Sequence, residues 1–117
     1  MSIESTIYAA LKTLVGGRVY RDIRKKDEGL PYITFQQVGG TPLNYLDRTK
    51  PSKKNARMQI NCWHNRRDDV MALARQVEDA LLAVTVKPQV LGAAIADYEE
   101  DTGLYGSIQD FSFWYDD

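Results

Sequence analysis

From Ala56 to Trp63 apolar and polar side chains alternate without interruption: Met58, Ile60 and Cys62 fall on one side, Arg57, Gln59, Asn61 and Trp63 on the other. A period of two marks an extended strand with one face buried and one face wet. A few residues later the period changes. Asp68 and Asp69 stand where a helix dipole favours anions, and Val70, Leu73, Val77, Leu81 and Val84 then repeat at helical spacing. A one-faced strand running into an amphipathic helix restricts the chain to a layered arrangement, in which helices cover the apolar face of a sheet.

The flanking segments extend this pattern. Ile3, Ile7, Ala10, Leu11 and Leu14 predict a helix over residues 3–15, with Ser2 as its N-cap and Gly16-Gly17 as its stop. Val19, Tyr20 and Ile23 predict a short strand, followed by a charged loop at 24–29. Pro31 opens a β-prone run from Tyr32 to Val38 that Gly39-Gly40 closes. Residues 41–55 show neither period and hold two prolines and two asparagines, which predicts a long loop. Val90–Ala96 and Ser107–Tyr115 are strand-like. In the second run Phe111, Phe113 and Tyr115 share one face, while Asp110, Ser112 and Trp114 share the other.

The expectation is an α+β fold, a two-layer sandwich with two helices packed on one face of a mostly antiparallel sheet of about five strands. A chain of 117 residues buries roughly two thirds of its unfolded surface, so 1–117 is read as one domain. Trp63 and Trp114 sit on the polar sides of their strands, which points to a second face covered by another subunit.

Chemistry-bearing patterns are few. One cysteine, Cys62, forms no internal disulfide, and one histidine, His64, builds no multi-His metal site. Asp101-Thr102-Gly103 matches the D-T-G of aspartic proteases, but that dyad needs a shielded pocket, and here Glu99 and Glu100 precede it. A hairpin turn accounts for the same three residues. Cys62 and His64 share a strand face, and a buried, inert thiol accounts for that pair. With no P-loop, dinucleotide fingerprint or Ser-His-Asp spacing, no catalytic residue, metal site or cofactor is expected, and the chain is not read as an enzyme. The N-terminus lacks a signal peptide's basic region, and no apolar run approaches the ~18 residues of a membrane span, which predicts a cytoplasmic chain without a membrane partner.

Charge is informative only when divided. The net charge of −1 splits into 14 positive and 7 negative side chains over residues 1–75, and 1 positive and 9 negative over 76–117, that is +7 and −8. Arg48, Lys50, Lys53, Lys54 and Arg57 crowd the basic part; Asp97, Glu99, Glu100 and Asp101 crowd the acidic one. Two uses compete for the basic segment at 47–57. As a nucleic-acid module it would track phosphates, yet it lacks interleaved aromatics beyond Tyr45, and the pI of about 5.8 is not basic. As an assembly surface it would meet the acidic patch of another copy, since complementary patches on one subunit promote head-to-tail contacts. The second use is the expectation, with no specific nucleic-acid binding. Trp63 or Trp114 would supply the buried anchor and the charges the steering.

One resemblance covers nearly the whole chain. SIESTIYAALK, a glycine pair with RVYRDI, LPYITFQQVGG, ARMQINCWHNRRDDVMALARQVEDAL and DYEEDTGLYGSIQDFSFWY follow one another in an order that resembles the small tail completion proteins of long-tailed bacteriophages and prophages. The resemblance implies a structural virion assembly protein: a tail terminator or tail-to-head joining protein, forming a hexameric ring of identical subunits on the tail tube and docking to a head connector. It implies a sheet with helices on one side, a place in the virion tail after assembly in the host bacterial cytoplasm, and no catalytic residues. Leu30-Pro31-Tyr32 and Gly103-Leu104-Tyr105 would be fold determinants.

Overall fold

The computed structural model describes residues 2–24, 29–42 and 52–116. In chain order the elements are α1 (Ile3–Leu11), a 3-10 turn (Lys12–Val15), β1 (Val19–Arg21), β2 (Tyr32–Gln37), β3 (Lys53–His64), α2 (Arg67–Leu82), β4 (Gln89–Val90), β5 (Ile95–Glu99) and β6 (Leu104–Asp116). The sheet runs β1-β2-β3-β6, with β4 and β5 both on the outer edge of β6. Every pairing is antiparallel except β1 with β2. Two helices on one face of a mostly antiparallel sheet is the α+β sandwich that the periodicities predict.

The alternation sets the layers. Ala56, Met58, Ile60 and Cys62 of β3 and Phe111 and Phe113 of β6 point into one core with Ile33 and Phe35 of β2. Ile3, Ile7 and Leu11 of α1 and Val70, Leu73, Val77 and Leu81 of α2 close it from above. Each large side chain buried there contributes roughly 1.5–3 kcal/mol of transfer free energy. Ser2 caps α1, its hydroxyl accepting from the Ser5 amide at 3.1 Å, and Gly16 ends the following turn with a φ of +59°.

Several boundaries differ from the expectation, and β6 begins at Leu104, three residues before the predicted Ser107. The first helix keeps α geometry only to Leu11 and tightens to a 3-10 turn up to Val15. The first strand stops at Arg21, because Asp22 takes a φ of +64° and turns Ile23 out into solvent. The loop predicted at 41–55 is shorter at its far end: Lys53, Lys54 and Asn55 belong to β3, paired with Asp116, Tyr115 and Trp114. The strand predicted at Val90–Ala96 is two strands. The Leu91 amide still donates to the Asp110 carbonyl at 3.1 Å, Gly92–Ala94 leave the ladder, and the Gln109 side chain donates at 2.8 Å to the Gly92 carbonyl.

Candidate functional site

The two longest strands position every surface of interest. β3 and β6 pair from Lys53 opposite Asp116 to His64 opposite Tyr105, eleven steps of ~3.3 Å, so the ribbon is ~36 Å long. β2 meets β3 only from Met58 to Trp63, and β4 and β5 meet β6 only as far as Ser112. The ends holding Lys53–Ala56 and Phe113–Asp116 therefore project beyond the rest of the sheet, and the molecule measures 52 × 25 × 23 Å.

The projecting end is basic. Lys53 Nζ lies 2.9 Å from Asp116 Oδ1, and Arg57 holds Asp110 with Nη2 at 2.8 Å and Nε at 2.9 Å. Lys54, half-buried, is on the helix side of the strand opposite Tyr115. Arg48 and Lys50 lie outside the described residues. Beside this end Val38–Thr41 run along β3 and leave a groove of about 530 Å³, bordered by Arg57, Leu91 and Trp114. Asn55 makes the groove rigid. Its Oδ1 accepts from the Thr41 amide at 2.7 Å, and its Nδ2 donates to Ser112 Oγ at 2.8 Å and to the Phe113 carbonyl at 3.1 Å. Gly40 passes so close to the Asn55 carbonyl that no side chain fits there.

The other end is acidic. β5 and β6 form a hairpin whose turn carries Glu100, Asp101, Thr102 and Gly103. Thr102 Oγ1 donates to Glu99 Oε1 at 2.7 Å, the Gly103 amide donates to the Glu99 carbonyl at 2.9 Å, and Gly103 adopts a φ of +71°. The D-T-G sequence is thus a turn on the surface. Glu99, Glu100 and Asp101 are exposed; Asp97 is half-buried, its Oδ1 accepting from the Tyr98 amide. Tyr98 stands 49% exposed with its ring 5.0 Å from Tyr105.

Arg67, in the first turn of α2, fixes this hairpin to the body. Its Nη1 donates to the Gly106 carbonyl at 2.8 Å, its Nη2 to the Asp97 carbonyl at 2.6 Å, and the guanidinium lies over Tyr105. Trp63 is also at this end, but it is half-buried: the indole stacks on Tyr32 and lies across Gly106, where a Cβ would come within 2.6 Å of it. Trp114, 40% exposed at the basic end, is the freer of the two indoles. Of the charged residues singled out in the sequence, Lys53, Lys54 and Arg57 thus stand toward one end of the ribbon and Asp97, Glu99, Glu100 and Asp101 at the other.

Cys62 and His64, the pair noted on one strand face, are both engaged within the fold. Burial pushes the Cys62 thiol up to about 12, partly offset by a hydrogen bond with Ser107, so the thiol stays protonated. His64 Nδ1 accepts from the Asn65 amide at 2.9 Å. Among the described residues no three His, Cys, Asp or Glu side chains are grouped to hold a metal ion, and no helix is long and apolar enough to cross a membrane. What the surface offers is two charged ends, each with an exposed aromatic, suited to protein contact.

The family model described as tail completion protein gp17 matches residues 7–116. The chain belongs to that family. Its role is in phage tail assembly, as a component of the virion tail that contacts other tail and head components. Among solved structures, the one titled "Structure of bacteriophage SPP1 gp17 protein" is similar over 97% of this chain and 88% of that one, with 19% identity and a TM-score of 0.57, and it shares the fold. No curated protein matches.

Three residues that shape the two ends are absent from the sequence-based set: Asn55, Arg67 and Leu91. Arg67 carried a signal. A cation in the first turn of a helix opposes the helix dipole, so its presence there calls for an anionic or carbonyl partner elsewhere.

Proposed function

We propose that this family member closes into a hexameric ring on the end of the tail tube, stops further addition of tube subunits, and presents the surface to which the head connector docks. The observation that carries this is the placement of unlike charges at opposite ends of a single stiff ribbon, Lys53 and Lys54 at one and Asp97, Glu99, Glu100 and Asp101 at the other. Complementary groups ~36 Å apart on the same rigid body cannot satisfy one another within the chain. They are suited to a heterologous contact, in which each subunit uses one end on each neighbour, and such contacts close into rings when the rotation permits. Arg48 and Lys50 belong to the basic side of this contact by their sequence position. The family name supports the place of action, the tail end, and the charges support the means of joining.

The one-domain organisation over residues 1–117 and the absence of catalysis are parts of the same proposal: a structural subunit acting by contact alone. A nucleic-acid surface is less well supported, since the pI of about 5.8 is not basic and the segment at 47–57 lacks interleaved stacking aromatics. Electron microscopy of particles assembled without this protein tests the proposal. The expected result is tails of uncontrolled length that do not join heads; tails of normal length joined to heads would overturn it.

A further inference from the structure

The groove beside Trp114 has the properties of a socket. Its floor is preformed, because the Asn55 side chain ties the Val38–Thr41 segment to β6 with three hydrogen bonds. Its walls carry two exposed apolar side chains, Trp114 and Leu91, each 40% exposed, with Val38 at 39%. Arg57 is the cation that lines it, and Lys53 lies outside the lining, two residues before Asn55 on the same face of β3. Lys53 is free to change partner at small cost: its bond to Asp116 joins side chains that are 53% and 78% exposed, and such surface pairs contribute ~0–1 kcal/mol.

The opposite end has the properties of a plug. The Tyr98–Asp101 tip is anionic and carries one exposed aromatic ring, and its turn is locked by the two bonds to Glu99. Arg67 holds its base to the α2 terminus. A turn already ordered in the free chain has little conformational entropy left to lose on docking. The ~36 Å separation along the ribbon excludes insertion of a chain's own hairpin into its own groove.

We infer that the groove bordered by Val38, Leu91 and Trp114 receives the Tyr98–Asp101 hairpin tip of a second copy of this chain. The inference rests on the ring proposed above and gives it a specific joint. Glu99, Glu100 and Asp101 meet Arg57 of the lining and Lys53 beyond it and speed encounter, while Tyr98 and Trp114 supply the apolar contact that holds it. Repeated from copy to copy, the joint uses one groove and one tip per subunit and leaves neither open in a closed ring.

Paired cysteines test the joint. The native Cys62 thiol is buried and protonated, so it does not compete with cysteines introduced at the surface. A chain carrying both Glu100→Cys on the tip and Gln89→Cys in the groove lining, exposed positions that leave Tyr98 and Trp114 in place, is oxidised mildly, as concentrated protein and again on assembled tails, beside the two single variants. The expected product is a covalent ladder of this chain that ends at a closed ring, absent from either single variant. Trp114→Ala, at an exposed position, is expected to fold normally and to weaken self-association about 30-fold, the effect of losing a central aromatic anchor. Oligomers that form normally but give no ladder, together with a Trp114→Ala chain that associates like the wild type, would place the joint elsewhere and leave the ring standing. A covalent adduct to a different tail protein would assign the groove to that partner and overturn the second-copy occupant. A single copy of the chain per tail end would overturn the ring and the joint together.

Discussion

Single residues account for why the two ends stay distinct. Gly106 lets the Trp63 indole lie flat across β6, which removes that ring from the free surface and leaves Trp114 as the exposed indole. Cys62, opposite Ser107 in the middle layer, shows how completely the apolar face is closed. Its thiol ionises near its ordinary 9.0 in the unfolded chain and at about 12 in the folded one. Between those values the unfolded state binds fewer protons, so unfolding is favoured as pH rises. The contribution is fully present below pH 9 and is lost above it, at roughly 1 kcal/mol per pH unit. Denaturant titrations of the wild type and of Cys62→Ala measure this. The wild type should lose stability more steeply than the variant above pH 9. Parallel curves would mean that the thiol is hydrated in the native state.

At the scale of elements, α2 does more than cover the core. Its first turn carries Asp68 and Asp69, as the dipole requires, and also Arg67, which opposes it. Arg67 instead satisfies the Gly106 and Asp97 carbonyls from two adjacent strands, a fork that a single ammonium does not reproduce. Arg67→Lys should therefore lose one of the two bonds and Arg67→Met both, the latter at a cost of ~2–3 kcal/mol given the strength of hydrogen bonds to charged groups. The loss should be local: amide exchange in β5 and in the first residues of β6 accelerates, while β2 and the centre of β3 keep their protection. Uniform acceleration across the sheet would show instead that Arg67 supports the whole fold. The helices and the middle of the sheet were legible in the sequence because each buries one face, and burial imposes its period on the text. Where no face is buried, that signal fails. Lys53-Lys54-Asn55 extend β3 with polar side chains on both faces, so no alternation marks them and they read as loop. Leu91–Ala94 are apolar enough to read as strand, and only the tertiary bond from Gln109 to Gly92 shows why Gly92–Ala94 leave it. The charged site residues were visible as two clusters, but Arg67 and Asn55, which hold those clusters in place, act through carbonyls and amides that sequence does not display.

For the whole molecule, the proposed joint makes assembly directional. In it each copy offers a basic end to one neighbour and an acidic end to the other, so charge reversal at one end should abolish self-association, and reversal at opposite ends of two copies should restore it between them. A chain with Lys53→Glu and Lys54→Glu is acidic at both ends; a chain with Glu99→Lys, Glu100→Lys and Asp101→Lys is basic at both. Neither has a matching neighbour of its own kind. Mixed, every joint between unlike chains matches, so the two must alternate around any closed ring. Alternation closes only when the number of subunits is even, a condition that a hexamer meets and a pentamer or heptamer does not. Native mass spectrometry of the mixture should then show equal numbers of the two chains in each closed species, with each variant alone monomeric at low ionic strength, where unscreened charges act over a longer range. Rings of either variant alone would show that the charged ends do not choose the neighbour. Mixed rings with an odd number of chains would show that the joint does not run from the basic end of one copy to the acidic end of the next.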